Sequence, residues 1–244
     1  MRFLTKHLVA VCSVLLWLSL SAVFVDHASG QTDESAMSRF IELIDQHNKI
    51  VKQSPQDRDV IAESLDEVSE EVFELVDEVF EPDQAIFMLN WIVNHNPSSD
   101  NAKKCRQLVI DQYIDVDSAA SLLMLGVTIK ELHNGSNLLS VEQMQAMQAS
   151  SSRKVKAAGS LLLAASQQDE DQREQMLLKV VEEYGQVTLG YSNVSDLADK
   201  PLAELLIRVG KKAPEIIGKD TDNVEFKLSD YRGKIVMLDF WGDW

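Results

Sequence analysis

Between residues 31 and 208 the apolar side chains recur at every third or fourth position, which places them on one face of an α-helix. Prolines fall between these periodic segments, where helices begin or end. Pro201 is expected in a first helical turn and Gly185 at a helix C-terminus. The pattern predicts helices at about residues 37–51, 60–80, 86–93, 102–109, 118–132, 141–167, 172–184 and 201–209. Their short connections predict an irregular helical bundle or a short solenoid of helical hairpins.

The hydrophobic pattern changes after residue 209. Apolar stretches at residues 216–217 and 224–226 are separated by Asp222-Asn223, a pair that tolerates left-handed backbone angles and favours a β-hairpin. Residues 235–240, Ile-Val-Met-Leu-Asp-Phe, then form a short apolar run. Its length and β-branched content are typical of a buried strand.

The N-terminus has the pattern of a targeting segment. Arg2 and Lys6 precede an apolar run at residues 8–25, and small residues follow at 28–30. This order predicts a signal peptide at residues 1–30, cleaved before Gln31, and therefore an exported protein of the periplasm or cell envelope. A retained N-terminal membrane anchor is the alternative, because the run is just long enough to span a bilayer.

The chain carries a formal net charge of -16, which argues against nucleic acid as a partner because phosphate binding needs a basic surface. Much of this charge lies between Asp57 and Asp83, where twelve acidic residues accompany one basic residue, Arg58. This stretch is interpreted as the solvated side of an amphipathic helix, since its apolar stripe is intact. A docking face for a basic partner, or a loose divalent-cation surface, is the alternative.

The sequence offers few groups for redox or metal chemistry. Cleavage before Gln31 leaves one cysteine, Cys105, which excludes an internal disulfide and is expected to be a buried thiol on an apolar helix face. A redox role for Cys105 would need a lowered pKa and a partner thiol. None of the five histidines has the spacing of a zinc site, so neither a metal nor another cofactor is predicted.

The last 36 residues contain an ordered series of motifs. They are Gly210, Ala213-Pro214, the run Leu-Ser-Asp-Tyr-Arg-Gly-Lys at residues 228–234, and the run Leu-Asp-Phe-Trp-Gly-Asp-Trp at residues 238–244. This series resembles the opening of a redoxin domain, the thioredoxin-like group that holds the TlpA-type thiol-disulfide oxidoreductases and the AhpC/TSA peroxiredoxins. The Trp-x-x-Trp ending is similar to the TlpA-type branch, in which Cys-x-x-Cys follows directly.

The resemblance implies roles for three residues. Asp239 matches the buried acid that accepts a proton during thiol exchange, although an ordinary acid at the end of a strand is an equal alternative. Trp241 and Trp244 would pack around the rim of the active site. The sequence ends on Trp244, so the catalytic cysteines are absent from it, and the chain alone is expected to be inactive.

The fold class expected is mainly α. A helical domain at residues 31–208 precedes the incomplete start, two or three strands, of a thioredoxin-like α/β domain at residues 209–244. The function implied is that of an exported thiol-disulfide oxidoreductase acting on protein disulfides or thiols, with membrane contact only through a retained N-terminal segment. The alternative is a non-catalytic helical interaction module of the cell envelope with a vestigial redoxin tail.

Overall fold

The computed structural model describes residues 30–126 and 138–239, with side chains from residue 34 onward. The described chain is mainly helical, with two small antiparallel sheets near its C-terminal end, as the sequence predicted. The helices are α1 (Gly30–Gln53), α2 (Arg58–Glu78), α3 (Pro82–His95), α4 (Asp100–Gln112), α5 (Ala119–Met124), α6 (Val141–Ala149), α7 (Arg153–Ala165), α8 (Glu170–Tyr184) and α9 (Val194–Leu206). The strands are β1 (Thr188–Leu189), β2 (Ser192–Asn193), β3 (Ile217–Lys219) and β4 (Glu225–Lys227).

The chain divides into two compact units. One comprises Met1–Thr128 with Asn137–Ser160, and the other comprises Ile129–Ser136 with Leu161–Trp244. The predicted signal segment lies outside the described residues except for Gly30. Among the described helices, none combines the length and the apolar character needed to cross a membrane.

The first unit is built on amphipathic helices with buried stripes. The Asp57 carboxylate accepts a hydrogen bond from the backbone N–H of Val60 at 3.2 Å, which satisfies one of the unpaired donors at the start of α2. One face of α2 is buried through Val68, Val72, Leu75 and Val76, whereas its acidic side chains are exposed. Removing these apolar groups from water is the main stabilising term for such a helix.

A buried arginine joins two helix ends in the first unit. Arg106 is fully buried, and its guanidinium donates to the carbonyl oxygens of Pro97 at 2.8 Å and Leu125 at 3.1 Å. These carbonyls follow α3 and α5, so one cation satisfies backbone acceptors that the helices leave unpaired. The sequence pattern gave no signal for this contact.

The single helix predicted at residues 141–167 is wrong, because the structure divides it into α6 and α7. Ser150 donates its hydroxyl to the Ile114 carbonyl at 2.7 Å, and the Ser152 hydroxyl accepts from the backbone N–H of Val155 at 3.3 Å. Serine side chains that bond nearby backbone groups compete with helix continuation. Gly159 lets α6 and α7 approach closely, since a Cβ there would lie 2.5 Å from Cβ of Met147.

The second unit pairs α8 with α9. The helix predicted at residues 201–209 begins earlier, at Val194, and Pro201 lies inside α9 rather than in its first turn. The start is set by the Asp196 carboxylate, which accepts from the backbone N–H of Asn193 at 3.3 Å. The helix predicted at residues 118–132 is described only as the short α5, since residues 127–137 lie outside the described chain.

Residues 213–239 should contribute little to the stability of the helices, because every one of them is exposed or half-buried. Deleting all residues after Lys212 is expected to move the thermal midpoint by less than about 2 °C. Leu75→Ala, which opens a cavity at a fully buried position, is the contrasting variant and should cost about 2–5 kcal/mol. Circular dichroism melts of both proteins check this, and a large loss in the truncated chain would contradict it.

Candidate functional site

The redoxin-like segment, residues 209–244, contains the predicted hairpin. β3 and β4 pair antiparallel, with Gly218 opposite Phe226. Asn223 adopts φ 64° in the turn, the left-handed region that asparagine tolerates. The Asp220 carboxylate accepts from the backbone N–H groups of Asp222 and Val224, both at 2.9 Å. The sequence therefore predicted both the hairpin and its turn correctly.

A polar connection fixes the chain after the hairpin. Residues Leu228–Tyr231 form a 3-10 turn. The backbone N–H of Ser229 donates to the Glu215 carboxylate at 2.9 Å. Hydrogen bonding from the Ser229 side chain first, and from its backbone N–H second, lowers the pKa of Glu215. The backbone N–H of Lys227 donates to the Asp230 carboxylate at 3.0 Å. These contacts tie the turn to β4 and to the residues just before β3.

The buried strand predicted at residues 235–240 is wrong over residues 235–239, which form no strand. Ile235 is 103% exposed and Met237 is 92% exposed. A strand needs a hydrogen-bonded neighbour, and in the described chain the only strand pairs are β1 with β2 and β3 with β4. The apolar run therefore lies open to solvent instead of within a sheet.

Among the described residues of this segment, the structure shows no convergent catalytic groups. Asp239 is exposed, so its role as a proton acceptor stays a prediction. Trp241 and Trp244 lie outside the described residues. What the described segment offers is an exposed apolar run that follows a well-formed hairpin.

Cys105 does not provide a reactive thiol. It is fully buried on α4, as predicted, and burial raises the pKa of its thiol to about 12 despite the neighbouring Arg106 and Lys104 charges. Desolvation outweighs the favourable charges because the thiolate would have to form away from water. Cys105 therefore remains a neutral thiol across the physiological pH range.

The structure brings together two histidines that sequence spacing did not connect. His47 on α1 and His95 at the end of α3 have ring centroids 5.6 Å apart, and both contact the Trp91 ring. Nδ1 of His47 lies 3.0 Å from the Ser64 hydroxyl on α2. Burial first, and the His95 charge second, lower the pKa of His47 to about 4. No three histidine, cysteine or carboxylate side chains converge as metal ligands in the part of the chain that the structure describes.

The acidic face of α2 has the character predicted for a solvated helix surface. Several of its carboxylates are already partnered: Glu78 with Arg39 and Glu70 with Lys104, both at 3.1 Å. Asp66 accepts from the Asn101 amide at 3.0 Å beside a polar cleft of about 410 Å³. These contacts are all within the first unit. None of the residues that line the cleft carries a buried polar side-chain atom without a hydrogen-bond partner.

Comparison with known proteins gives a partial match. The chain is 39% identical over 56 residues to the thiol-disulfide oxidoreductase ResA of Geobacillus thermodenitrificans, covering 23% of this chain and 30% of that protein. It is 50% identical over 38 residues to ResA of Geobacillus kaustophilus, covering 16% of this chain and 22% of that protein. Part of this chain resembles thiol-disulfide oxidoreductases.

The ResA similarity covers less than a third of either relative's length. No protein-family model matches the chain, and no solved structure matches it. The similarity is to thiol-disulfide oxidoreductases and adds no catalytic residue to the described structure.

The thiol of Cys105 should be unreactive in the folded chain, because it is buried and its pKa is raised. Ellman's reagent at pH 8 is expected to leave it unmodified for hours in the native protein and to modify it within minutes in guanidinium chloride. A Cys12→Ser background makes Cys105 the only thiol counted. Rapid native labelling would contradict the burial of this residue.

Stability should fall as pH decreases from about 6.5 to about 4. His47 has a lowered folded-state pKa of about 4 against 6.5 in its unfolded state, so the unfolded chain binds the extra proton in this window. The contribution of His47 to the free energy of unfolding is present above pH 6.5 and amounts to at most about 3 kcal/mol. Urea titrations of wild type and His47→Gln measure it, and the variant should lose this pH dependence while keeping any slope due to carboxylates. Parallel curves for the two proteins would disprove the assignment.

Proposed function

We propose that this chain carries the N-terminal part of an exported thiol-disulfide oxidoreductase of the thioredoxin-like family, with its catalytic cysteines outside residues 1–244. The partial ResA similarity carries the proposal. The ordered redoxin motifs of residues 209–244 support it. The substrates would be protein disulfides or thiols, and the apolar N-terminal segment supports export to the periplasm or envelope.

The exposed apolar run supports the same proposal physically. Ile235, Val236, Met237 and Leu238 all lie at the surface, where four consecutive apolar side chains gain nothing from hydrophobic burial. In a thioredoxin-like sheet a run of this kind forms a strand between neighbours. The sheet would then deliver the chain to a helix N-terminus, where dipole and free N–H groups lower the pKa of a cysteine.

Residue roles follow from the family resemblance. Within a complete sheet Asp239 would become buried below the second cysteine and accept its proton during exchange. Trp241 and Trp244 would line the rim and exclude water from the reacting sulfurs. No cofactor is required for exchange, because a thiolate attacks a disulfide sulfur directly and a second thiolate leaves.

The alternative function is a non-catalytic helical interaction module of the envelope. The observation that favours it is that both described units have buried apolar cores built without residues 213–239. Under this alternative the redoxin segment is a vestige and contributes no chemistry.

Insulin reduction with dithiothreitol as electron donor separates the two functions. Residues 31–244 should show no turnover above the donor alone, since their one cysteine is buried. The chain extended through the downstream coding sequence should contain Cys-x-x-Cys and reduce insulin, and Cys→Ser at its first cysteine should abolish turnover. Turnover by residues 31–244 would refute the proposal. An inactive extended chain, or a stop codon after Trp244, would favour the interaction module.

A further inference from the structure

The junction between α9 and the redoxin-like segment is held by a cluster of charges within the second unit. Arg208, two residues beyond the end of α9, contacts Glu170 at 2.9 Å and Glu174 at 3.0 Å, and it also contacts Asp171. All three carboxylates lie in the first turns of α8. Carboxylates are stabilised there because the helix dipole presents positive charge at its N-terminus.

Lys211 adds a second cation from the redoxin-like segment itself. Its ammonium lies 2.8 Å from the Glu174 carboxylate and 3.5 Å from that of Asp171. Hydrogen bonding to the carboxylates raises the pKa of both Arg208 and Lys211, so both stay charged. The cluster therefore joins two cations from the residues that follow α9 to three carboxylates at the start of α8.

Partial burial of its central pair distinguishes this cluster from an ordinary surface ion pair. The side chains of Arg208 and Glu174 are only 17% and 13% exposed, whereas those of Glu170 and Asp171 are 58% and 73% exposed. Isolated pairs in full contact with water contribute almost nothing. A network of several charges at low exposure stabilises a structure more than an isolated ion pair does, because each cation is held by more than one carboxylate.

The chain beyond the cluster has little else to hold it. All seven residues from 209 to 215 are exposed, and Val209 is 104% exposed. Gly210 adopts φ 90°, a conformation that other residues rarely take and one that turns the chain as it leaves the helix. Gly210 therefore lets the chain leave α9 in several directions unless neighbouring contacts restrict it.

We propose that Arg208 and Lys211 form an ionic clasp on α8, which fixes the direction in which the redoxin-like segment leaves the helical region. With the clasp closed, the chain as far as Lys211 is held against α8, which narrows the range of orientations open to the hairpin β3–β4. With the clasp opened by salt or by charge removal, Gly210 lets the segment swing. The clasp is independent of the redox proposal, since it requires only the charges described.

Pulsed electron resonance between two spin labels tests the clasp in the full chain. Tyr191→Cys and Lys219→Cys, both at exposed positions, report on the loop before α9 and on the hairpin. Cys12→Ser removes the cysteine that lies outside the described residues, and Cys105 is buried. Arg208→Gln with Lys211→Gln should widen the distance distribution about twofold or more, and about 1 M NaCl should widen the unsubstituted distribution similarly, because the Debye length falls to about 3 Å.

The matched control is Arg232→Gln with Lys212→Gln, which removes the same charge from exposed positions outside the cluster. It should leave the distribution unchanged. Equal widening by the control, or a distribution already as wide without any charge removal, would overturn the clasp.

Circular dichroism checks that the helices form. If Arg208→Gln unfolds the chain, Lys211→Gln alone and the salt series carry the same test. Insulin turnover is not a readout here, so failure of the redox proposal leaves the result interpretable.

Discussion

The organisation of the described chain depends on where its backbone hydrogen bonds are satisfied. Residues 235–239 have no hydrogen-bonded strand neighbour among the described residues. An α-helix satisfies its backbone internally, so each helical unit can form its core from its own side chains. A strand satisfies its backbone only beside another strand. The helices therefore pack around buried stripes such as that of α2, while the redoxin-like segment forms one hairpin and then runs open to solvent.

The features that the sequence predicted correctly are those decided by local chemistry. The turn at Asn223 depends on the left-handed tolerance of one side chain, and the stripe of α2 depends on spacing within one helix. The sequence-based predictions failed where contacts between residues far apart in the sequence decide where a helix ends. Ser150 ends α6 by bonding to the carbonyl of Ile114, thirty-six positions away, and no periodicity in residues 141–167 reports that contact.

The candidate site likewise combines residues that the sequence could indicate with a geometry that depends on contacts between distant residues. Asp239 and the two tryptophans could be named from a family resemblance, but their geometry depends on strands that the described residues do not supply. The pairing of His47 with His95 was missed because the two lie on different helices, and only the packing of α1 against the hairpin of α2 and α3 brings them together. A buried histidine near an aromatic ring leaves no distinctive pattern in the sequence.

Burial of Cys105 has a consequence for how the folded helices respond to disulfides in solution. A thiol that neither ionises nor meets solvent cannot attack a disulfide or form a mixed disulfide with a folding catalyst. Once α4 has docked, the described helices present no accessible thiol to a disulfide. The described helices therefore contribute no thiol that could compete in an exchange reaction.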